Sequence, residues 1–107
     1  MAKIISVNEE QILFDDGCKI TFDHSQDCCE CNYADFEQLD DLARKHKFNT
    51  SKMLFEKVGD HGFAFGNKNR MFFVPCYSVQ NGYYTTAVDI YFNGQRVLEL
   101  DGEFVDG

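Results

Sequence analysis

The chain has 107 residues, of which 15% are aromatic and one is proline, so it carries enough bulky apolar material to fold around a core. Its formal net charge of −8 argues against a nucleic-acid-binding protein, because phosphate binding depends on clustered Lys and Arg. No apolar run reaches the roughly 18 residues of a membrane helix, and five cysteines without a secretory signal indicate reduced thiols, so we expect one cytoplasmic domain over residues 1–107.

The first predicted elements are a strand and a hairpin. The strand covers residues 3–7, and "QILFDDGCKITFDH" contains two alternating runs around a turn. A three-residue loop ending at Gly17 pairs Ile12 with Ile20, whereas a two-residue loop would pair Ile12 with Thr21. We expect the three-residue loop, because it aligns apolar side chains with each other. The face toward the core then carries Cys18, Ile20, Phe22 and His24.

The next segment, "DHSQDCCECNY" (23–33), concentrates groups that bind metals or carry thiol chemistry. Cys28 and Cys31 form a C-x-x-C pair, which a turn can aim at one metal ion or join as a redox pair. A tetrahedral zinc site needs four ligands, and strong zinc signatures contain two such pairs. The further ligands would come from His24, Cys29, Cys18, Cys76 or His61. In the alternative interpretation the cysteines pack as small apolar residues, and Asp27 and Glu30 cap turns.

One helix is predicted, in the stretch "DFEQLDDLARKHKF". Its apolar residues recur at the spacing of a single helical face, namely at Phe36, Leu39, Leu42 and Ala43. Asp35 is the expected N-cap, and acidic residues early with basic residues late suit the helix dipole. We therefore expect one main helix near 35–47 that covers one face of a sheet.

The rest of the chain reads as strands that are separated by turns. The predicted strands cover 53–58, 62–66, 70–79, 83–92 and 95–100. Asn93-Gly94 is a strong hairpin signal, and Pro75 cannot donate to a ladder, which predicts a bend or a sheet edge there. The expected fold is therefore α+β, with a mostly antiparallel, hairpin-rich sheet of about seven strands and one main helix.

Two stretches resemble a family of short, uncharacterised bacterial and phage proteins. "HSQDCCE" (24–30) resembles the family's His-x-Gln-Asp-Cys-Cys-Glu signature. "QNGYYTTAVDIYF" (80–92) resembles its closing segment, in which Asn-Gly-Tyr-Tyr precedes an alternating strand. The resemblance implies no established activity. It favours the signature over the C-x-x-C pair as the functional unit, because Cys31 stands where the family tends to have other residues, and it adds Tyr83 and Tyr84 as residues that close over the signature.

The sequence therefore favours a non-enzymatic binding or accessory module that presents the 24–31 segment to a protein or small ligand, without a cofactor and without a membrane. Neither a nucleotide-binding glycine pattern nor a nucleophile elbow occurs in it. The expected binding residues are His24, Gln26, Asp27, Cys28, Cys29, Glu30, Tyr83 and Tyr84. The alternative is a zinc or thiol-redox site built on Cys28 and Cys31 with His24.

Overall fold

The computed structural model describes residues 1–23, 31–59, 61–80 and 86–106. The strands in these ranges are β1 (Ile4–Val7), β2 (Gln11–Phe14), β3 (Lys19–Asp23), β4 (Cys31–Ala34), β5 (Leu54–Lys57), β6 (Gly62–Asn67), β7 (Arg70–Gln80), β8 (Ala87–Phe92), β9 (Gln95–Asp101) and β10 (Glu103–Asp106). The helices are α1 (Asp41–Lys45) and two 3-10 helices, Phe36–Gln38 and Thr50–Lys52. The expected antiparallel pairing is confirmed, whereas the α+β class with about seven strands is corrected to a predominantly β fold.

The strands form two sheets. The first has the order β1-β2-β3-β8-β9, and every neighbouring pair in it is antiparallel. The second has the order β10-β7-β6-β5, with β4 also on β7, and only β10 runs parallel to its neighbour among the described strands. β6 pairs with β7 up to Pro75, and β4 pairs with it from Cys76 onward. β10 also pairs with β7 from Tyr77 onward, so the pairing of β7 changes around the residue that has no N–H to donate.

The first hairpin has the predicted register. Ile12 is opposite Ile20, and Gly17 has a φ of +89°, the left-handed conformation that the three-residue loop requires. Ile20 is buried, and its two neighbours on the same face pack partly buried against the core. The core face therefore carries Cys18, Ile20 and Phe22 as predicted, while His24 lies outside the described residues.

The Asn93-Gly94 hairpin is also confirmed, as a two-residue turn between β8 and β9. Both residues have positive φ, 52° and 84°, as the favoured hairpin turn requires. The side-chain oxygen of Asn93 accepts from the Lys19 backbone N–H at 3.0 Å, and its nitrogen lies 3.4 Å from Cys18 Sγ. This turn therefore ties the β8–β9 hairpin to the start of β3.

The predicted continuous helix over 35–47 is wrong. After the 3-10 helix Phe36–Gln38 the chain is extended at Leu39, with ψ 137°, and α1 begins after Asp40, whose carboxylate accepts from Leu42 N at 2.9 Å. Aspartate makes such local bonds more readily than it continues a helix. The residues Phe36, Leu39 and Ala43 are buried, but Leu42 is 55% exposed. The apolar spacing therefore identified core contacts without identifying the correct backbone.

Two of the ten strands in the described part of the chain were not predicted. β4 and β10 have four residues each, and both pair with β7. The ranges of β5, β6, β7 and β9 agree with the prediction to within one residue at each end. β8 is confirmed from Ala87 onward, whereas residues 83–85 of that predicted strand lie outside the described ones.

The core lies between the two sheets and is centred on phenylalanine rings. The Phe48 ring lies 5.4 Å from that of Phe14 in the first sheet, and 5.7 Å from those of Phe65 and Phe72 in the second. The Phe48 backbone exchanges hydrogen bonds of 2.7 and 2.8 Å with Ala2. Phe48 therefore joins the N-terminal end of the chain to both sheets.

Candidate functional site

The predicted binding residues lie in two segments that are outside the described residues. We call 24–30 the cysteine segment and 81–85 the tyrosine segment. The first contains His24, Gln26, Asp27, Cys28, Cys29 and Glu30, and the second contains Tyr83 and Tyr84. Cys31, which belongs to the metal alternative, is the first residue of β4. The surroundings of both segments are defined by the strands that flank them.

Both segments connect the first sheet with the second, and their flanking strands end at the same place. β3 leads into the cysteine segment and β4 follows it, while β7 leads into the tyrosine segment and β8 follows that. Asp23 at the end of β3 is opposite Asp89 near the start of β8, and Cys31 at the start of β4 is opposite Val79 near the end of β7. β4 also contacts β3 and β8. We call this place the crossing end, defined by Asp23, Cys31, Gln80 and Ala87.

A buried polar link joins the two sheets next to the crossing end. Asn32 of β4 and Ser78 of β7 are opposite each other, and both are fully buried. The Ser78 hydroxyl donates to the side-chain oxygen of Asn32, and the Asn32 side-chain nitrogen donates to the carbonyl of Ala87 at 3.3 Å. Buried polar groups are costly unless they are hydrogen-bonded, and satisfied networks favour one arrangement of the core. This link fixes β4 and β7 relative to β8.

The chain passes between the sheets at the crossing end once more, at Gly102 between β9 and β10. The Gly102 N–H donates to the Thr86 carbonyl at 2.8 Å. A Cβ on Gly102 would lie 2.5 Å from the carbonyl carbon of Tyr77, so only glycine permits this approach of two backbones. The Thr86 hydroxyl donates to the Asp101 carboxylate at 3.0 Å. These contacts hold the residue before β8 against the β9–β10 connection.

Carboxylates form a row on the outer face of the first sheet, beside the crossing end. Asp23, Asp89 and Glu99 are direct neighbours across β3, β8 and β9, and they therefore project from the same face. A neighbouring hollow of about 320 Å³ is lined by Lys57, Ala87, Glu99, Leu100 and Asp101. Among the described residues one ion pair forms, the exposed Arg96–Glu99 pair at 3.9 Å. The row gives this face a negative potential that attracts cationic groups.

Two cysteines that were considered as further metal ligands lie elsewhere. Cys76 is fully buried in β7, and burial raises the pKa of its thiol to about 12, so it is not a thiolate at neutral pH. Cys18 precedes β3 and is about 17 Å from Asp23, as five residues of strand require. In the parts of the chain that are described, no group of three or more His, Cys, Asp or Glu side chains could hold a metal. Cys76 is therefore a buried packing residue, and Cys18 lies beside the Asn93 side chain.

Asn32, Ser78 and Gly102 were not predicted from the sequence. The bond between Ser78 and Asn32 joins residues 46 positions apart, and it depends on the pairing of β4 with β7, which no local pattern encodes. One signal was available, because Ser78 is in phase with the buried positions Val74 and Cys76 of the same strand. A period of two therefore predicts an inward-facing serine, although not its partner.

Comparison with known proteins identifies a family. No curated protein and no solved structure matches the chain. Within the described ranges, no helix is long and apolar enough to cross a membrane. A family model described as a domain of unknown function (DUF7448) matches residues 1–90, a range that includes both the cysteine and the tyrosine segments. Because this match extends over well above half of the sequence, the chain belongs to the family of that domain of unknown function.

Proposed function

We propose that the protein is a non-enzymatic binding or accessory module that presents the 24–31 segment, with Tyr83 and Tyr84, at the crossing end. One observation carries the proposal: the strands that flank the cysteine segment and those that flank the tyrosine segment end together. Residues that are distant in sequence thus enter and leave the two sheets at one place. A ligand bound there would contact both segments at once.

The scaffold next to the crossing end supports this role. The buried link from Ser78 through Asn32 to Ala87 holds three strands in fixed positions, and Gly102 packs backbone against backbone at Tyr77. Connections that a rigid scaffold positions are the usual location of binding residues, since the scaffold limits the entropy lost when a ligand binds. The crossing end therefore offers a preorganised base for both segments.

The residue types in the two segments indicate the chemistry of the ligand. His24 and Gln26 combine donors with acceptors, while Asp27 and Glu30 supply acceptors and negative charge. Tyr83 and Tyr84 add aromatic surface with a polar tip. Together with the carboxylate row, this set suits the donor-rich or cationic surface of a protein or small ligand in a reducing, cytoplasmic compartment. It requires neither nucleic acid nor a membrane, and no cofactor.

A matched pair of variants tests the proposal. Asp27→Ala changes the cysteine segment, and Asp15→Ala makes the same change in the exposed β2–β3 turn, at the opposite end of β3. Partners are captured on immobilised wild-type protein, identified, purified and titrated against all three proteins. We expect Asp27→Ala to weaken binding about tenfold and Asp15→Ala to leave it unchanged. Equal binding by all three proteins would contradict the proposal.

The alternative is a zinc or thiol-redox site on Cys28 and Cys31 with His24, and its basis is the C-x-x-C spacing. Metal analysis of natively purified protein distinguishes the binding module from this alternative. One equivalent of zinc that is lost in Cys31→Ser would support the metal site and contradict the proposal. Metal-free protein with five titratable thiols after unfolding would remove the alternative.

Substitution of the adjacent cysteines separates binding from packing. If Cys28 and Cys29 serve only as packing, serine at either position would bury a poorly satisfied hydroxyl and lower the unfolding free energy by about 1–3 kcal/mol. If they serve binding, the melting temperature is retained and partner affinity falls. Thermal melts followed by circular dichroism measure the stability of each variant, and titration with the captured partner measures its affinity.

A further inference from the structure

A second hollow lies on the outer face of the second sheet, where β6 ends and β10 begins along β7. Its volume is about 510 Å³, and the residues that line it include Phe73, Tyr77, Glu103, Gln38 and His61. Glu103 is opposite Tyr77 in the parallel β10–β7 pair, so the two side chains stand next to each other on the same face. The inference below does not depend on the proposed function.

An aromatic ring forms a fixed wall of this hollow. Phe73 is 46% exposed, although it is a large apolar residue in a strand. Its ring packs closely on Gly62, since a Cβ on that glycine would come within 2.5 Å of two ring carbons. A side chain at Gly62 would push the ring away from the sheet. The glycine thus lets the ring lie against β6, where it lines the hollow.

Polar groups with spare acceptor capacity stand beside the ring. The Gln38 side-chain nitrogen donates to the Asp35 carboxylate at 2.7 Å and to the Tyr77 hydroxyl at 3.2 Å. Both donors of that amide are thereby engaged, and its oxygen is an acceptor at the hollow. The Tyr77 hydroxyl accepts from Gln38, so its own proton can be donated to a carbonyl. The Tyr77 ring is in turn held against Tyr33 at 5.6 Å.

The charge of the hollow is not balanced by the residues described around it. Glu103 is exposed, forms no ion pair with any described residue, and no Lys or Arg is among the described lining residues. The chain as a whole carries a net charge of −8. A cationic group is therefore the complementary occupant, because it would meet a carboxylate, an amide oxygen and an exposed aromatic ring.

We propose that this hollow binds an arginine side chain of a protein partner, with the guanidinium between the Phe73 ring and the Glu103 carboxylate. Guanidinium is planar, stacks on aromatic faces and can pair with a carboxylate through two hydrogen bonds, whereas ammonium is a compact point charge. The Tyr77 hydroxyl then donates to a backbone carbonyl of the same peptide. This contact favours an arginine within a peptide over a free cation.

The test uses the full chain and a short peptide, Ac-Gly-Arg-Gly-NH2, titrated into 15N-labelled protein. We expect chemical shift changes at Gly62, Phe73, Tyr77 and Glu103. Replacement of the arginine by citrulline, its neutral isostere, should abolish them. Shift changes elsewhere with none at the hollow, or an equal response to the citrulline peptide, would overturn the proposal.

A pair of charge variants separates the hollow from the overall field. Glu103→Gln and Glu99→Gln each remove one exposed carboxylate, so the two variants have equal net charge. Glu103 lies at the hollow, whereas Glu99 lies on the first sheet. We expect Glu103→Gln to weaken the peptide about five- to tenfold, and Glu99→Gln to change its affinity less than twofold. Equal weakening by both variants would show general attraction to an acidic protein and would overturn the assignment. Phe73→Leu, which keeps an apolar side chain, should also weaken binding.

Discussion

At the scale of single residues, Cys76 shows how position in the fold decides thiol chemistry. The side chain is fully buried, and the pKa of its thiol is raised to about 12 because burial disfavours the thiolate. Thiolate is the reactive form. We therefore expect Cys76 to react with a disulfide reagent at pH 8 only after unfolding. Thiols are titrated in the native state and in guanidinium, on wild-type protein and on Cys76→Ala, and the difference between the two proteins gives the reactivity of Cys76. Rapid modification of Cys76 in the native state would contradict the structure.

The Asp16 carboxylate is a second residue whose chemistry follows from its contacts. The Thr50 hydroxyl donates to it at 2.5 Å, and this bond, followed by that from the Cys18 backbone N–H at 3.0 Å, lowers the pKa of Asp16. We expect Thr50→Val to raise the pKa of Asp16 toward its ordinary value, as followed by NMR of the carboxyl carbon. Ser51→Ala is the matched control, because Ser51 bonds to Asn49 instead.

The sign of the resulting pH dependence is fixed by the direction of the shift. A lowered pKa in the folded state means that ionised Asp16 favours folding at a pH above its unfolded value, and that this contribution is lost as the pH falls through the folded value. The difference in melting temperature between wild-type protein and Thr50→Val should therefore shrink in acid. A difference that is constant from neutral to strongly acidic pH would show that the Thr50 bond does not act through the charged carboxylate.

At the scale of elements, the split of the predicted helix makes Asp40 a cap and Asp35 a side-chain anchor. The Asp40 carboxylate accepts from Leu42 N, whereas the Asp35 side chain accepts from the Gln38 amide and makes no capping bond. We expect Asp40→Ala to lower the unfolding free energy by about 1 kcal/mol, and Asp35→Ala to lower it by roughly half of that or less. Urea denaturation measures both, and the reverse order would indicate one helix capped at Asp35.

The elements that the sequence predicted well are those whose geometry is decided locally. Gly17 and Asn93-Gly94 set their turns by residues that accept positive φ, and the apolar pairing of Ile12 with Ile20 then fixes the register. β4 and β10 were missed because both exist as strands through pairing with β7, which no local pattern encodes. The prediction of one continuous helix was wrong for a related reason. Apolar spacing indicates which side chains are buried, whereas the aspartate at position 40 decides where the backbone turns and α1 begins.

At the scale of the whole molecule, the candidate site could be predicted only in part. The sequence identified the cysteine segment and the tyrosine pair separately, from unusual residues and a family resemblance. Their common end follows from the pairing of β3 with β8 in the first sheet and of β4 with β7 in the second, together with the bond from Asn32 to Ala87 that links the sheets. The arginine-binding hollow was not predicted at all, because it needs β10 beside β7 and the Phe73 ring over a glycine of another strand.

The buried link from Ser78 through Asn32 to Ala87 should contribute both to the stability of the fold and to the rigidity of the crossing end. Asn32→Leu introduces an apolar side chain of similar size and removes the acceptor of the Ser78 hydroxyl and the donor to the Ala87 carbonyl. We expect a loss of about 1–3 kcal/mol in unfolding free energy, because the remaining polar groups stay buried. Ser78→Ala should cost less, and the double variant should cost less than the sum, since both changes remove the same bond. Ser6→Ala, on the edge strand β1, is the control.

Hydrogen exchange tests whether this link acts on the crossing end itself. The Gly102 N–H, which donates to the Thr86 carbonyl, reports on the connection between β9 and β10. The N–H of Gln95, at the far end of the β8–β9 hairpin, serves as the reference. If the buried link holds the two sheets together at their crossing end, Asn32→Leu should speed exchange at Gly102 more than at Gln95, because local opening there then requires less free energy. Equal acceleration at both amides would mean that Asn32 stabilises the fold as a whole and that the crossing end owes its rigidity to other contacts.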